Sequence, residues 1–325
     1  MNATGPAPDL SPDLSVVIVS WNTQTMLRDC LASVYTGLGV EPGDLRAEVI
    51  VVDNASEDGS AEMVAAEFPQ AMLIRNAENR GFAAANNQGF AVARGRQVLL
   101  LNSDTVVHGN VLQRSVAWLD ARPEVGAMGC RVLNTDGSVQ LTCAMYPSIL
   151  NQFLQASGLW KLGRPRFFGR YLMTHWERDS ERAVDTISGC YLLVRRCIVE
   201  EVGPLDEAFF FFGEETDWCR RMRDAGWNLM FAPVGEITHH GSVSARKLNH
   251  RRDVMLTQAL VRLHRKHGGM APAAVAWAIG AGFNLSRATY WALRRLLGDR
   301  EAEARARHFR GVVAHLRDAW PAPPR

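Results

Sequence analysis

The sequence predicts an α/β fold, a mostly parallel central sheet with helices on both faces, followed by a helical extension. Three observations carry this expectation. Short β-branched apolar runs alternate with stretches of helical spacing through the first hundred residues. Each run ends in a polar cluster, as strands of an open α/β sheet do at the edge where ligands bind. Beyond Lys247 the spacing is helical throughout. A length of 325 residues suits one large domain or two small ones.

The elements follow in order. Ser15-Val-Val-Ile-Val-Ser20 is a buried strand, and residues 25–35 place Met26, Leu27, Leu31 and Val34 at helical spacing. Glu48-Val-Ile-Val-Val-Asp53 is a second strand. Ser60 caps a helix through Phe68 that Pro69 stops. Met72-Leu-Ile-Arg75 is a third strand, residues 83–93 a helix, and Gln97-Val-Leu-Leu-Leu101 a fourth strand. A helix is expected over 110–120. Runs at 125–132 and 138–143 flank Asn134-Thr-Asp-Gly137, a hairpin turn signal. Residues 144–183 read as irregular, 187–195 as a strand, and 216–225 as a helix ended by Gly226.

Composition excludes several classes. With 47% hydrophobic and 22% charged residues the chain is not wholly disordered, collagen-like or coiled-coil. Six cysteines form no CxxC pair, which argues against a zinc ribbon and fits reduced thiols in a cytosolic setting. Residues 1–13 lack a basic or apolar region and read as a disordered leader, not a signal peptide. No stretch reaches the ~18 apolar residues of a spanning helix. Charge is uneven: residues 246–325 carry 16 Lys/Arg against 5 Asp/Glu, while the rest carries net −9. An acidic body with a basic tail implies an anionic partner for the tail, and charge alone allows lipid or nucleic acid.

The polar clusters carry the chemistry. Asn102-Ser-Asp104 follows the fourth strand, and a carboxylate there can hold a hard divalent cation that binds phosphate oxygens; capping of the next loop is the plainer alternative. Asp53-Asn-Ala-Ser-Glu-Asp-Gly-Ser60 follows the second strand and can bind a nucleobase or ribose, or simply make a turn. The lack of GxGxxG argues against dinucleotide oxidoreductases. Asn79-Arg-Gly-Phe82 makes a tight turn before Asn86 and Asn87, whose amides by themselves suit capping. Behind four Phe residues, Glu214, Glu215 and Asp217 crowd into four positions. Apolar surroundings and like charges raise carboxylate pKa values, which suits a general base. A helix N-terminus also favours acids, but that explains the charge and not the four Phe residues. His239, in His239-His-Gly-Ser-Val-Ser244, can complete a metal shell beside a carboxylate.

In order and spacing these segments, together with Gly203-Pro-Leu-Asp-Glu207, resemble family 2 glycosyltransferases with the GT-A fold, closest to the bacterial rhamnosyltransferase-like branch. The resemblance covers residues 14–245 and implies a catalytic GT-A domain there, with 246–325 as a basic amphipathic helical region. It implies that Asp53 binds the pyrimidine base of a nucleotide-sugar. Ser20, Asn22, Asn54, Asn79, Arg80, Gly81, Phe82, Asn86, Asn102, Ser103, Asp104 and Gly189 would line the donor. Asp104 and His239 would hold Mg²⁺ or Mn²⁺, Asn102 replacing one acid of the family's DxD motif. Glu215 would be the base, where the family usually has Asp, with Glu214 and Asp217 as substitutes.

The implied activity is inverting sugar transfer to a lipid-linked or polysaccharide acceptor in cell-envelope glycan synthesis. L-Rhamnose from dTDP-L-rhamnose is the favoured donor, and UDP-galactofuranose or UDP-glucose the alternatives. A catalytically degenerate, membrane-associated binding module is the competing reading, motivated by Asn102 and Glu215. A nucleotidyltransferase is disfavoured because Ser20-Trp-Asn-Thr-Gln-Thr25 holds no Gly and no Lys. Trp277, Phe283, Tyr290 and Trp291, mixed with Arg287, Arg294 and Arg295, suit an anionic membrane interface, hence a peripheral place on the inner face of the plasma membrane. No nucleic-acid fold is present, and a homo-oligomer is allowed.

Overall fold

The computed structural model describes residues 11–39, 45–162, 164, 166–241, 249–299 and 301–320. Most of the expected leader and the end of the His239-to-Ser244 motif lie outside them. The first strands and helices are β1 (Leu14–Ser20), α1 (Gln24–Leu38), β2 (Ala47–Asp53), α2 (Ser60–Glu67), β3 (Met72–Arg75), α3 (Phe82–Val92) and β4 (Gln97–Asn102). Next come β5 (Thr105–Val107), α4 (Val111–Asp120), β6 (Val125–Leu133), β7 (Cys143–Ala144), α5 (Ile149–Ser157), β8 (Arg182–Ala183), β9 (Thr186–Ile187) and β10 (Tyr191–Arg195). Then follow α6 (Arg196–Val202), α7 (Glu214–Asp224), β11 (Asn228–His239), α8 (His250–Gly268), α9 (Met270–Leu296) and α10 (Ala302–Ala314).

Among the described residues the main sheet runs β3-β2-β1-β4-β10-β6-β11-β5, with β8 beside β11. β1 is parallel to β2 and β4, β2 to β3, and β6 to β11; β10 runs against β4 and β6, and β5 and β8 against β11. The sheet is therefore mostly parallel, as expected, with three reversed members. The apolar runs lack alternation because both faces are covered. Val16, Ile18, Leu99 and Leu101 pack toward one core, while Val17, Leu100, Leu192 and Val194 pack toward the other. Burying each such side chain contributes roughly 1.5–3 kcal/mol.

Three expectations need correction. The 138–143 run is no hairpin strand: beyond a lone Leu133–Val139 bridge, only Cys143–Ala144 is a strand, and it pairs β9 in a separate two-stranded sheet. The 187–195 run is broken at Gly189, whose two sides belong to different sheets. The irregular 144–183 segment contains helix α5, capped by Ser148 Oγ, which accepts from the Asn151 amide.

The order in which strands are added to the sheet reverses at β1. The first half of the chain moves outward from β1 to β3 and then returns through α3 to β4 on the other side of β1. Such a switch point opens a crevice at the carboxyl ends of the strands. Ser20, Asp53 and Asn102 end β1, β2 and β4 at that edge. The extension packs onto the α/β body: Gln152 Nε2 donates to the Ala276 carbonyl at 3.0 Å, and Phe209 is buried with Ala259 and Leu263.

Candidate active site

The crevice is wired together by side-chain amides and hydroxyls. Asn22, held at φ 55°, accepts from the Glu57 amide through Oδ1 at 2.8 Å, and its own amide donates to Ser56 Oγ at 3.0 Å. Ser20 Oγ lies 2.9 Å from Thr23 Oγ1, which donates to Ser103 Oγ at 3.0 Å. Three strand ends are thus tied to one another. Asp53 is 3% exposed. Its Oδ2 accepts from the Ser56 amide at 3.1 Å, whereas its Oδ1 is buried with no partner. An unmatched buried acceptor costs free energy, and a ligand N–H would satisfy it.

Asn54 organises the turn that follows β3. Its Nδ2 donates to Asn79 Oδ1 at 2.9 Å and to the Gly81 carbonyl at 3.2 Å, while its Oδ1 accepts from Asn76 Nδ2 and from the Arg80 amide, both at 3.0 Å. Gly81 has φ +83°, and a Cβ there would lie 2.6 Å from the Phe210 carbonyl oxygen. Phe82 N–H donates to that same carbonyl at 3.0 Å. Gly81→Ala is expected to cost about 1–3 kcal/mol in backbone strain and to raise the donor KM. Melting curves and steady-state kinetics check both.

Gly189 packs on the Phe82 ring, 3.3 Å from where its Cβ would be. Asn86, expected to line the donor, is instead turned into its own helix. It is 1% exposed and its Nδ2 donates to the Phe82 carbonyl at 2.9 Å, so it is spent on local structure. The neighbouring Asn87 clamps the Gly203–Glu207 segment: its Nδ2 donates to the Leu205 carbonyl at 2.9 Å and its Oδ1 accepts from the Leu205 amide at 3.0 Å.

Asn102, Asp104 and His239 converge. His239 Nε2 lies 3.2 Å from Asp104 Oδ1 and 3.2 Å from Asn102 Nδ2. A carboxylate oxygen facing an imidazole nitrogen at this spacing offers two donor atoms of the kind that divalent cations take. Among the described residues no cluster of three or more His, Cys, Asp or Glu side chains forms a metal shell. The pair therefore fits an ion that draws its remaining ligands from a diphosphate or water.

The three acids of α7 part company. Glu215 is half-buried and lines a cavity of about 520 Å³, facing Gln140, Thr142, Tyr171 and Ser188. Burial raises its pKa above the ordinary carboxylate value. Glu214 is buried outside that lining, with Oε2 unpartnered, and burial together with the Glu215 charge pushes its pKa well up. Asp217, expected as a substitute base, is held elsewhere. It is fully buried against the extension, 2.9 Å from Lys266 Nζ, 2.8 Å from His267 Nε2 and 2.9 Å from Arg221 Nε. Burial opposes its ionisation, but hydrogen bonds from His267 and Lys266 and the Lys266 and Arg221 charges overcome that and hold the pKa at about 2. Such an acid is a poor proton acceptor.

Two of the four Phe residues meet the extension: Phe209 sits against Ala259 and Leu263, and Arg252 lies 5.5 Å over Phe212, whereas Phe210, against Gly81, and Phe211 are exposed. Sequence reasoning missed Gln140, Lys266 and His267, which sit in no motif and meet their partners 99, 49 and 50 residues away.

The fold is of the GT-A type. Residues 15–170 match the model for glycosyl transferase family 2, and the chain is similar to a curated relative named as a rhamnosyltransferase. The chain is 29% identical over 240 residues, 70% of its length and 76% of the relative's, to N-acetylglucosaminyl-diphospho-decaprenol L-rhamnosyltransferase of Mycobacterium tuberculosis. It is 29% identical to glycosyltransferase AglE of Haloferax volcanii, covering 68% of this chain and 64% of that one. Two solved structures share the fold. The mannosyltransferase PcManGT of Pyrobaculum calidifontis with GDP-Man and Mn²⁺ has TM-score 0.55 and 19% identity, covering 96% and 89% of the two chains. GalNAc-T7 with UDP, GalNAc and Mn²⁺ has TM-score 0.55 and 16% identity, covering 78% and 48%.

Proposed function

We propose that this glycosyltransferase inverts the anomeric centre of its donor and transfers L-rhamnose from dTDP-L-rhamnose to a hydroxyl of a lipid-linked acceptor. The observation that carries the chemistry is the placement of Glu215, a carboxylate of raised pKa in the wall of a roomy cavity at the ligand edge. The Mycobacterium tuberculosis relative, whose name specifies rhamnosyl transfer to a diphospho-decaprenol-linked sugar, supports the choice of sugar and acceptor.

Asp53 Oδ1 would accept a hydrogen bond from the donor's pyrimidine, and the turn at residues 79–82 would border its sugar. Asp104 and His239 would hold Mg²⁺ or Mn²⁺, which when bound supplies positive charge against the developing charge of a departing diphosphate. Glu215 takes the proton of the acceptor hydroxyl. The acceptor oxygen forms a bond to the anomeric carbon on the face opposite the diphosphate, whose bond to that carbon breaks. Nucleoside diphosphate leaves, and no covalent enzyme intermediate is required. Incubation with a panel of nucleotide-sugars, with and without lipid-linked acceptor, tests the reading. Release of dTDP from dTDP-L-rhamnose and from no other donor of the panel, abolished by EDTA, is expected. Release from a UDP-sugar instead would replace the donor, and donor binding without any turnover would favour the non-catalytic module.

The extension would dock on anionic membrane. No helix among the described residues is long and apolar enough to cross one. On α9, however, Val275, Ala278, Gly282, Leu285, Thr289 and Leu293 follow at three- and four-residue steps on the exposed side. Leu296 and Leu297 extend the stripe at 82% and 84% exposure, beside Arg294 and Arg295. An apolar stripe with basic residues at its end suits the headgroup boundary. Sedimentation with phosphatidylglycerol vesicles at low salt should carry the protein down, and Leu285→Glu with Leu293→Glu should release it. Binding that ignores both substitutions would rule out this face.

A further inference from the structure

We infer that Gln140 is a positioning residue that fixes the tautomer of His239, holding the imidazole proton on Nδ1 and turning the Nε2 lone pair toward Asp104. The inference rests on the reading of Asp104 and His239 as the metal pair, and it comes from three contacts. Gln140 Nε2 lies 2.7 Å from the backbone carbonyl oxygen of His239. A carbonyl oxygen only accepts, so the amide nitrogen must be the atom placed there. That leaves Gln140 Oε1 as the atom 2.9 Å from His239 Nδ1. An amide oxygen cannot donate, so Nδ1 carries the hydrogen. In a neutral imidazole Nε2 is then the acceptor, because the hydrogen bond made by one ring nitrogen sets the state of the other.

The remaining contact agrees. Asn102 Nδ2, 3.2 Å from Nε2, can donate to that lone pair, which a carboxylate at position 102 could not do. That contact is compatible with this tautomer, and Asp104 Oδ1 lies 3.2 Å from the same nitrogen. With the other tautomer Nε2–H would donate to Asp104 Oδ1 and close the pair to a cation. The clamp is anchored by the chain itself, since the Gln140 amide donates to the Val132 carbonyl at 2.8 Å at the end of β6. Gln140 also lines the cavity that contains Glu215, so the same side chain borders the site of the chemistry.

Nitrogen NMR of the full, metal-free chain labelled with ¹⁵N-histidine tests this, with His239→Gln used to assign the resonance. In the wild type Nδ1 should have the protonated signature and Nε2 the unprotonated one. Gln140→Leu should move the proton to Nε2. Gln140→Glu, whose carboxylate still accepts from Nδ1–H, should keep it on Nδ1. Mn²⁺ affinity in the presence of dTDP, read by electron paramagnetic resonance, should fall about 10–100-fold in the Leu variant, as is usual when a partner behind a metal-binding histidine is removed. A proton on Nε2 in the wild type, or an unchanged tautomer in Gln140→Leu, overturns the inference. Absence of Mn²⁺ binding in the wild type would count against the metal pair, and the tautomer measurement would still decide the role of Gln140.

Discussion

Glu215→Gln should lower turnover by about 10²–10⁴-fold, the usual cost of losing a general base, while donor affinity changes little. The amide keeps the shape and loses only the proton acceptor, so kcat should fall and KM for the donor should stay near its wild-type value. The wild-type profile should show an acid limb above the ordinary carboxylate range, because burial raises the Glu215 pKa. The sign follows directly: a raised pKa keeps the proton on to higher pH, so the carboxylate that accepts a proton appears only above the folded value. Glu214 sits beside it with a pKa raised by burial and by the Glu215 charge, so the limb belongs to the pair. Initial rates against pH for the two proteins check this. Near-normal turnover in Glu215→Gln would remove Glu215 from the chemistry.

The largest expected effect on stability comes from Asp217. Removing one member of a buried ion pair typically costs about 3–5 kcal/mol, because the partners are left charged and unpaired. Asp217→Ala should fall toward the lower end, since the Lys266 and Arg221 side chains keep 33% and 20% of their exposure and can rehydrate. The same group gives an acid-sensitive term. Its folded pKa of about 2 lies below the unfolded value of 3.8, so the carboxylate stabilises the folded chain fully above pH 3.8. That stabilisation, about 2 kcal/mol, drains away as pH falls from there toward 2. Urea titrations of both proteins between pH 7 and pH 3 check it: their midpoints should converge as the pH drops. An unchanged midpoint at pH 7, with turnover abolished, would return Asp217 to the chemistry.

Much of this was legible in the sequence because the relevant forces act within a few residues. β1, β2 and β4 are nearly unbroken apolar runs, since helices cover both faces of the sheet. Their polar ends at Ser20, Asp53 and Asn102 follow from the rule that open α/β sheets bind ligands at that edge. The segments that failed are those whose pairing is chosen at a distance. The run at 138–143 has a good hairpin turn ahead of it, yet the next strands of the main sheet come from β10 and β11, and only Cys143–Ala144 is recruited, by β9. Asn86 and Asn87 look alike as neighbours; the helix turns one inward to the Phe82 carbonyl and the other outward to Leu205.

By itself the sequence determined the α/β order, the crevice-edge residues and the ordered motifs that resemble those of family 2 glycosyltransferases. It also determined that acids would crowd behind the Phe run. Only the tertiary structure decided which acid does what. Glu215 is half-buried at a cavity wall, Glu214 is sealed without a partner for Oε2, and Asp217 is neutralised by Lys266, His267 and Arg221. Proton affinity depends on burial and on charges a few ångströms away, and Lys266 and His267 are brought in from the extension, some fifty residues along the chain. The Gln140–His239 contact is the same case: two hydrogen bonds across 99 residues, invisible until β6 and β11 lie side by side.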